Sequence, residues 1–150
     1  MAREPVSTSL QLRRLVWAGP VTVLGSIAAN LLVRAVAVTL LHPQPKFLPL
    51  TLLPVVVDTT VLVTCAVLVF AAVARFASNP IRKYHYIAAG VLLFSFIPDV
   101  WLGKSRFLGA TWPYVFALMA MHVAAWGVCV TLLPKLTRTV GKKSVTPGRS

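Results

Sequence analysis

The sequence predicts an all-α protein, an integral membrane antiparallel four-helix bundle. Three observations carry this. Four apolar runs each approach the roughly 20 residues needed to cross a hydrocarbon core of about 30 Å. Hydrophobic residues make up 57% of the chain and charged residues 12%, with a mean hydropathy of +0.80. The basic residues gather between the runs rather than inside them. A soluble fold of 150 residues must cover itself with charge, and this chain has too little to do so.

Residues 1–14 read as a polar cytoplasmic segment, and residues 15–134 as one four-span domain. The first span runs from Leu15 to Leu41 and is interrupted by Asn30 and Arg34. Arg13-Arg14 before it resembles a signal-peptide start, but the run is too long and shows no small-x-small cleavage site. His42-Pro43-Gln44-Pro45 ends it, because proline lacks an amide donor and restricts the residue before it. The second span covers Leu52 to Ala74 and contains Asp58. Asn79-Pro80 has the pattern of an N-cap and first helical residue, so the third helix starts ahead of its apolar part, Tyr84 to Leu102. Asp99 lies near the end of that part. Thr111-Trp112-Pro113 repeats the start signal for the fourth span, Trp112 to Leu133, which carries His122 and is closed by Pro134. The tail, residues 135–150, is basic, contains Gly141 and Pro147-Gly148, and is expected to be disordered. No internal repeat and no GxxxG pair within a span accompanies these elements.

Orientation follows from the loops. Eleven basic residues lie on one side: Arg3, Arg13, Arg14, Arg75, Arg82, Lys83, Lys135, Arg138, Lys142, Lys143 and Arg149. Three lie on the other: Lys46, Lys104 and Arg106. The positive-inside rule therefore puts both termini in the cytoplasm of a cell with this protein in its plasma membrane. Trp17 marks the inner face, Trp101 and Trp112 the outer one. The lipid bilayer is the main partner, and the basic segments suit anionic headgroups at about 1 kcal/mol per residue. The net charge of +12 does not imply nucleic acid, since the basic residues form no stripe and no zinc-ligand or RNA-binding motif appears. A homo-oligomer or a second membrane protein is compatible with everything above.

Charges inside a span cost about 2.5–3.5 kcal/mol on insertion scales, so such residues are usually paired or line a cavity. Counting from the span ends puts Arg34 and Asp58 at one depth, Asp99 shallower and His122 near the midplane. All favour the outer half, each from a different helix. Asn30 and Arg34, Ser95 and Asp99 are four apart; Asp58 and Cys65, His122 and Cys129 are seven apart. Each helix thus has one polar stripe, expected to face inward. Cys65 and Cys129 are expected to be small buried residues.

Three readings of the cluster follow. Arg34 and Asp58 form a buried ion pair that fixes register; or Asn30, Arg34, Asp58, Asp99 and His122 line a pocket open to the outside; or Arg34 snorkels toward the headgroups. One arginine facing two aspartates leaves excess negative charge, met by a protonated aspartate, a protonated His122 or a bound cation. No metalloprotease, phosphate-loop or catalytic-serine motif is present, and no CxxC pair for quinone chemistry. Asp58 and His122 alone do not make a metal site, and the sequence implies no cofactor. The functions left are an accessory or small-molecule-binding membrane protein, a small oligomeric proton-coupled transporter, or an embedded isomerase- or cyclase-type enzyme with Asp58 and His122 as acid and base. A carrier would place an essential acid at the midplane, and both acids lie nearer the outer surface. An enzyme needs Asp58 and His122 around one pocket. An accessory protein needs only a closed, dry core.

Ala28-Ala29-Asn30 with Arg34, Pro98-Asp99 and Leu118-Met119-Ala120-Met121-His122 resemble a family of small bacterial four-helix membrane proteins of unknown function. The resemblance spans about Leu12 to Leu136 and implies topology rather than chemistry. Asp58 falls outside its motifs.

Overall fold

The computed structural model describes residues 8–10, 12–45 and 47–140. Gln11, Lys46, the segment up to residue 7 and the tail from residue 141 lie outside the described residues. Four helices account for most of the chain: α1 (Leu15–Leu41), α2 (Leu52–Phe76), α3 (Pro80–Ser105) and α4 (Trp112–Thr137). All four are long and apolar enough to cross a membrane. Two short strands, β1 (Thr8–Leu10) and β2 (Arg138–Val140), pair antiparallel with Ser9 opposite Thr139. They clasp the two ends of the described chain at one end of the bundle, called here the terminal end.

One expectation is corrected by these limits. Pro134 does not close the fourth helix, which continues to Thr137; Pro98 likewise sits inside a helix, α3. Proline removes one backbone bond, yet helices at membrane depth tolerate it where neighbours re-satisfy the freed carbonyl. The opening of the tail is likewise ordered, as the last turn of α4 and then β2. Asn79 and Thr111 are the N-caps of α3 and α4, with proline in the first two helical positions, but neither side chain makes a capping bond. At the far end, α1 stops where His42 turns left-handed (φ 45°) and donates its amide to the Val38 carbonyl. The α3–α4 connection passes through Arg106, Leu108 and Gly109, all at positive φ.

The helices form a ring in which α1 packs most extensively on α4, then on α2; α3 packs on α4 and, most thinly of the four neighbours, on α2. The face of α1 explains its central place. Ala18, Thr22, Ser26 and Asn30 recur every four residues, and all are buried. Small side chains on one helical row let backbones approach, the usual basis of association in lipid. A Cβ added to Gly19 would meet Val67 of α2 at 3.2 Å.

The apolar core is divided. At the far end Phe47, Leu50, Val55, Tyr114 and Met121 cluster, with the Phe47 and Tyr114 rings 5.0 Å apart. At the terminal end Val63, Phe70, Tyr84, Val130 and Leu133 do so, Phe70 meeting Tyr84 edge-on at 4.8 Å. A polar layer lies between them. The outward faces carry Leu24, Leu32, Leu53, Leu68, Phe94 and Phe116, all exposed. That is the surface of a chain solvated by lipid.

Candidate functional site

The polar layer is built from pairs. From α1, Asn30 donates its Nδ2 to the Thr59 hydroxyl of α2 at 2.9 Å, with both residues buried. From α4, His122 Nε2 lies 3.3 Å from Asp99 Oδ2 on α3. This is the contact of an ion pair, charged when the imidazole is protonated, and not an aligned hydrogen bond: Asp99 Oδ2 has no hydrogen-bond donor. Asp99 meets His122 because α3 continues to Ser105, setting Asp99 six residues from the helix end. That is about 9 Å deep, against roughly half that for a helix ending at Leu102.

Arg34 stands apart from this layer. Its Nε donates to the Leu50 carbonyl at 2.8 Å, in the turn Leu48–Leu50 that leads into α2. No Arg34–Asp58 ion pair forms among the described residues. Of the three readings for Arg34, reach toward the helix end is the one its geometry follows. Asp58 is exposed and makes no hydrogen bond or ion pair among the described residues.

A cavity of about 640 Å³ occupies the space among α2, α3 and α4. Asn30, Asp58, Asp99 and His122 line it; Arg34 does not. Thr59, Ser95, Cys65 and Cys129 also line it, so the polar stripes of α2, α3 and α4 converge on one space, joined from α1 by Asn30 alone. Its walls are otherwise apolar, including Val63, Leu92, Leu118 and Met121. Leu62, Cys65 and Val69 of α2 and Ile87 and Val91 of α3 line it while remaining exposed. The mouth therefore lies along the thin α2–α3 seam and faces sideways, in place of the expected outward opening. Cys65, expected to be buried, is exposed at this rim, whereas Cys129 is buried. From Trp101 at the far end to Tyr84, lining residues are spread over seventeen residue steps of α3, about 26 Å of helix.

Sequence reasoning missed Thr59, Tyr84 and Trp126. The Tyr84 hydroxyl and the Trp126 indole Nε1 are buried at the cavity without hydrogen-bond partners. Trp126 is one turn from His122, a spacing that marks a shared face. Asp58 and His122, the expected acid and base, share the cavity, but the acid in contact with His122 is Asp99.

Four spanning helices around a side-opening cavity with a polar layer define a multi-pass membrane protein of the four-helix bundle class. The chain belongs to a family described as "Family of unknown function (DUF6069)", whose model matches residues 10–141. No curated protein and no solved structure matches it.

Proposed function

We propose that this chain is a plasma-membrane binding or accessory protein that admits one amphiphilic molecule from the surrounding lipid into the cavity. The observation that carries the reading is the cavity itself. A space of about 640 Å³ is of the size that encloses small ligands, commonly about 300–1,000 Å³. Its apolar walls suit a hydrocarbon body, and its few convergent polar groups suit a head. An opening along the α2–α3 seam connects it to the phase in which such molecules dissolve. The basic excess on the terminal side supports termini in the cytoplasm, with anionic headgroups against those segments, so the acidic end of the cavity lies in the outer leaflet.

Photolabelling tests this reading. The protein in phosphatidylcholine nanodiscs is labelled with a diazirine-bearing hexadecanol, with and without excess plain hexadecanol. Labelling at Val63, Leu92 and Met121 is expected to saturate and be competed away, whereas labelling at lipid-facing Leu24 and Leu32 is not. Uniform, unsaturable labelling of all five positions overturns the reading.

A further inference from the structure

The cavity's polar end is unbalanced in charge and in hydrogen bonding. Two carboxylates, Asp58 and Asp99, line it with one imidazole, and no lysine or arginine does so among the described residues. His122 can neutralise Asp99, which it contacts. No ion pair forms with Asp58 among the described residues, and Arg34, the arginine expected to pair with it, donates to the Leu50 carbonyl instead. Asp58 lies six residues into α2, about 9 Å from the start of a helix long and apolar enough to span. An uncompensated carboxylate in a span is costly, and such groups point to a functional site by default.

The hydrogen-bond inventory shows the same deficit independently. Asn30 is 5% exposed and lines the cavity, and its Oδ1 has no donor. Asp99 is 7% exposed, and its Oδ2 also lacks one. Buried acceptors without donors are rare in folded proteins and call for a partner. The unmatched Trp126 N–H and Tyr84 hydroxyl belong to the terminal-end cluster, whereas the two unmatched groups of the polar layer, Asn30 Oδ1 and Asp99 Oδ2, are acceptors, so a head placed between them is a donor. Trp101 and Phe107, with ring centroids 6.2 Å apart, line the same end and offer aromatic faces of the kind that attract cations. A metal ion fits poorly: no three His, Cys, Asp or Glu side chains among the described residues come together to hold one.

We infer that the occupant is a lipophilic ammonium, an amine-headed amphiphile with its head among Asp58, Asp99 and the Asn30 amide oxygen and its tail along the α2–α3 groove. This rests on the binding reading above and adds the charge of the head. The ammonium supplies the positive charge that Asp58 lacks and the N–H donors that Asn30 and Asp99 lack. A neutral head of equal size supplies no charge, and an anionic head meets two carboxylates.

The test uses full-length protein in phosphatidylcholine nanodiscs and a diazirine-bearing hexadecylamine, competed by plain hexadecylamine or by hexadecanol. The amine is expected to suppress labelling at Val63, Leu92 and Met121 at concentrations at least tenfold below those of the alcohol. Asp58→Asn is expected to remove that advantage and Asp58→Glu to keep it. Asp58 is exposed and unbonded, so both variants are expected to fold, which an unchanged thermal midpoint checks. Equal competition by amine and alcohol overturns the inference and leaves the binding reading standing. An amine advantage that survives in Asp58→Asn also overturns it. Absence of saturable labelling by either probe overturns both.

Discussion

His122 of α4 and Asp99 of α3 meet at 3.3 Å in the polar layer between two apolar clusters, the one ion-pair contact among the described residues. The contact fastens α3, the helix with the fewest buried positions, to its better-packed neighbour. Replacing either residue by alanine leaves the other without its partner in a poorly solvated place, and each is expected to cost about 1–3 kcal/mol. In a double-mutant cycle the coupling should lie within about 0.5–3 kcal/mol, measured by reversible unfolding in bicelles. A coupling indistinguishable from zero contradicts the pairing.

The Asn30–Thr59 bond joins α1 to α2 at the same level. Hydrogen bonds between membrane helices average about 0.6 kcal/mol and reach about 1.7. Asn30→Ala and Thr59→Val are therefore expected to destabilise modestly, with a coupling in that range by the same unfolding assay. Additive losses would show that the bond does not form.

Glycines on α3 give opposite expectations. A Cβ on Gly103 would meet Val115 at 3.1 Å and the Trp112 ring at 3.3 Å, whereas one on Gly90 meets nothing within 4 Å. Gly103→Ala is expected to lower stability by about 1–3 kcal/mol through overpacking. Gly90→Ala is expected to raise it by up to about 1 kcal/mol, the helix preference of alanine over glycine. Thermal midpoints in detergent distinguish the two, and a gain at Gly103 would show that α3 and α4 are not packed this closely.

Topology is checked by labelling from outside. In a background of Cys65→Ser and Cys129→Ala, Ser105→Cys at the exposed last residue of α3 is expected to react with a membrane-impermeant maleimide in intact cells. Ser78→Cys, between α2 and α3, is expected to react only after permeabilisation. The reverse pattern refutes cytoplasmic termini.

The four spans were legible because length and hydropathy at membrane depth leave few alternatives, and the Asn79-Pro80 and Thr111-Trp112-Pro113 starts were legible from proline geometry. Four of the five candidate residues share the cavity because seven- and four-residue spacings set each helix's polar side. Arg34 does not, since its acceptor is the Leu50 main chain, which carries no side-chain signal in a sequence. The row Ala18, Thr22, Ser26, Asn30 was readable as a close-packing face but was overshadowed by the charged residues. Pro134 does not end α4, because the rule that ends helices at proline weakens where neighbouring helices can re-satisfy a freed carbonyl. The β1–β2 clasp joins segments about 130 residues apart, beyond the reach of any local pattern.

Because α1 finds its largest partner in α4, the order of synthesis and the order of assembly cannot coincide. The first span is made well before the last, and the side of α1 around Gly25, where an added Cβ would meet Val128 and Leu132 of α4, has no partner while α2 and α3 are made. Until α4 arrives, the side of α1 that it covers is left to lipid. Premature termination ahead of Trp112 would leave it so.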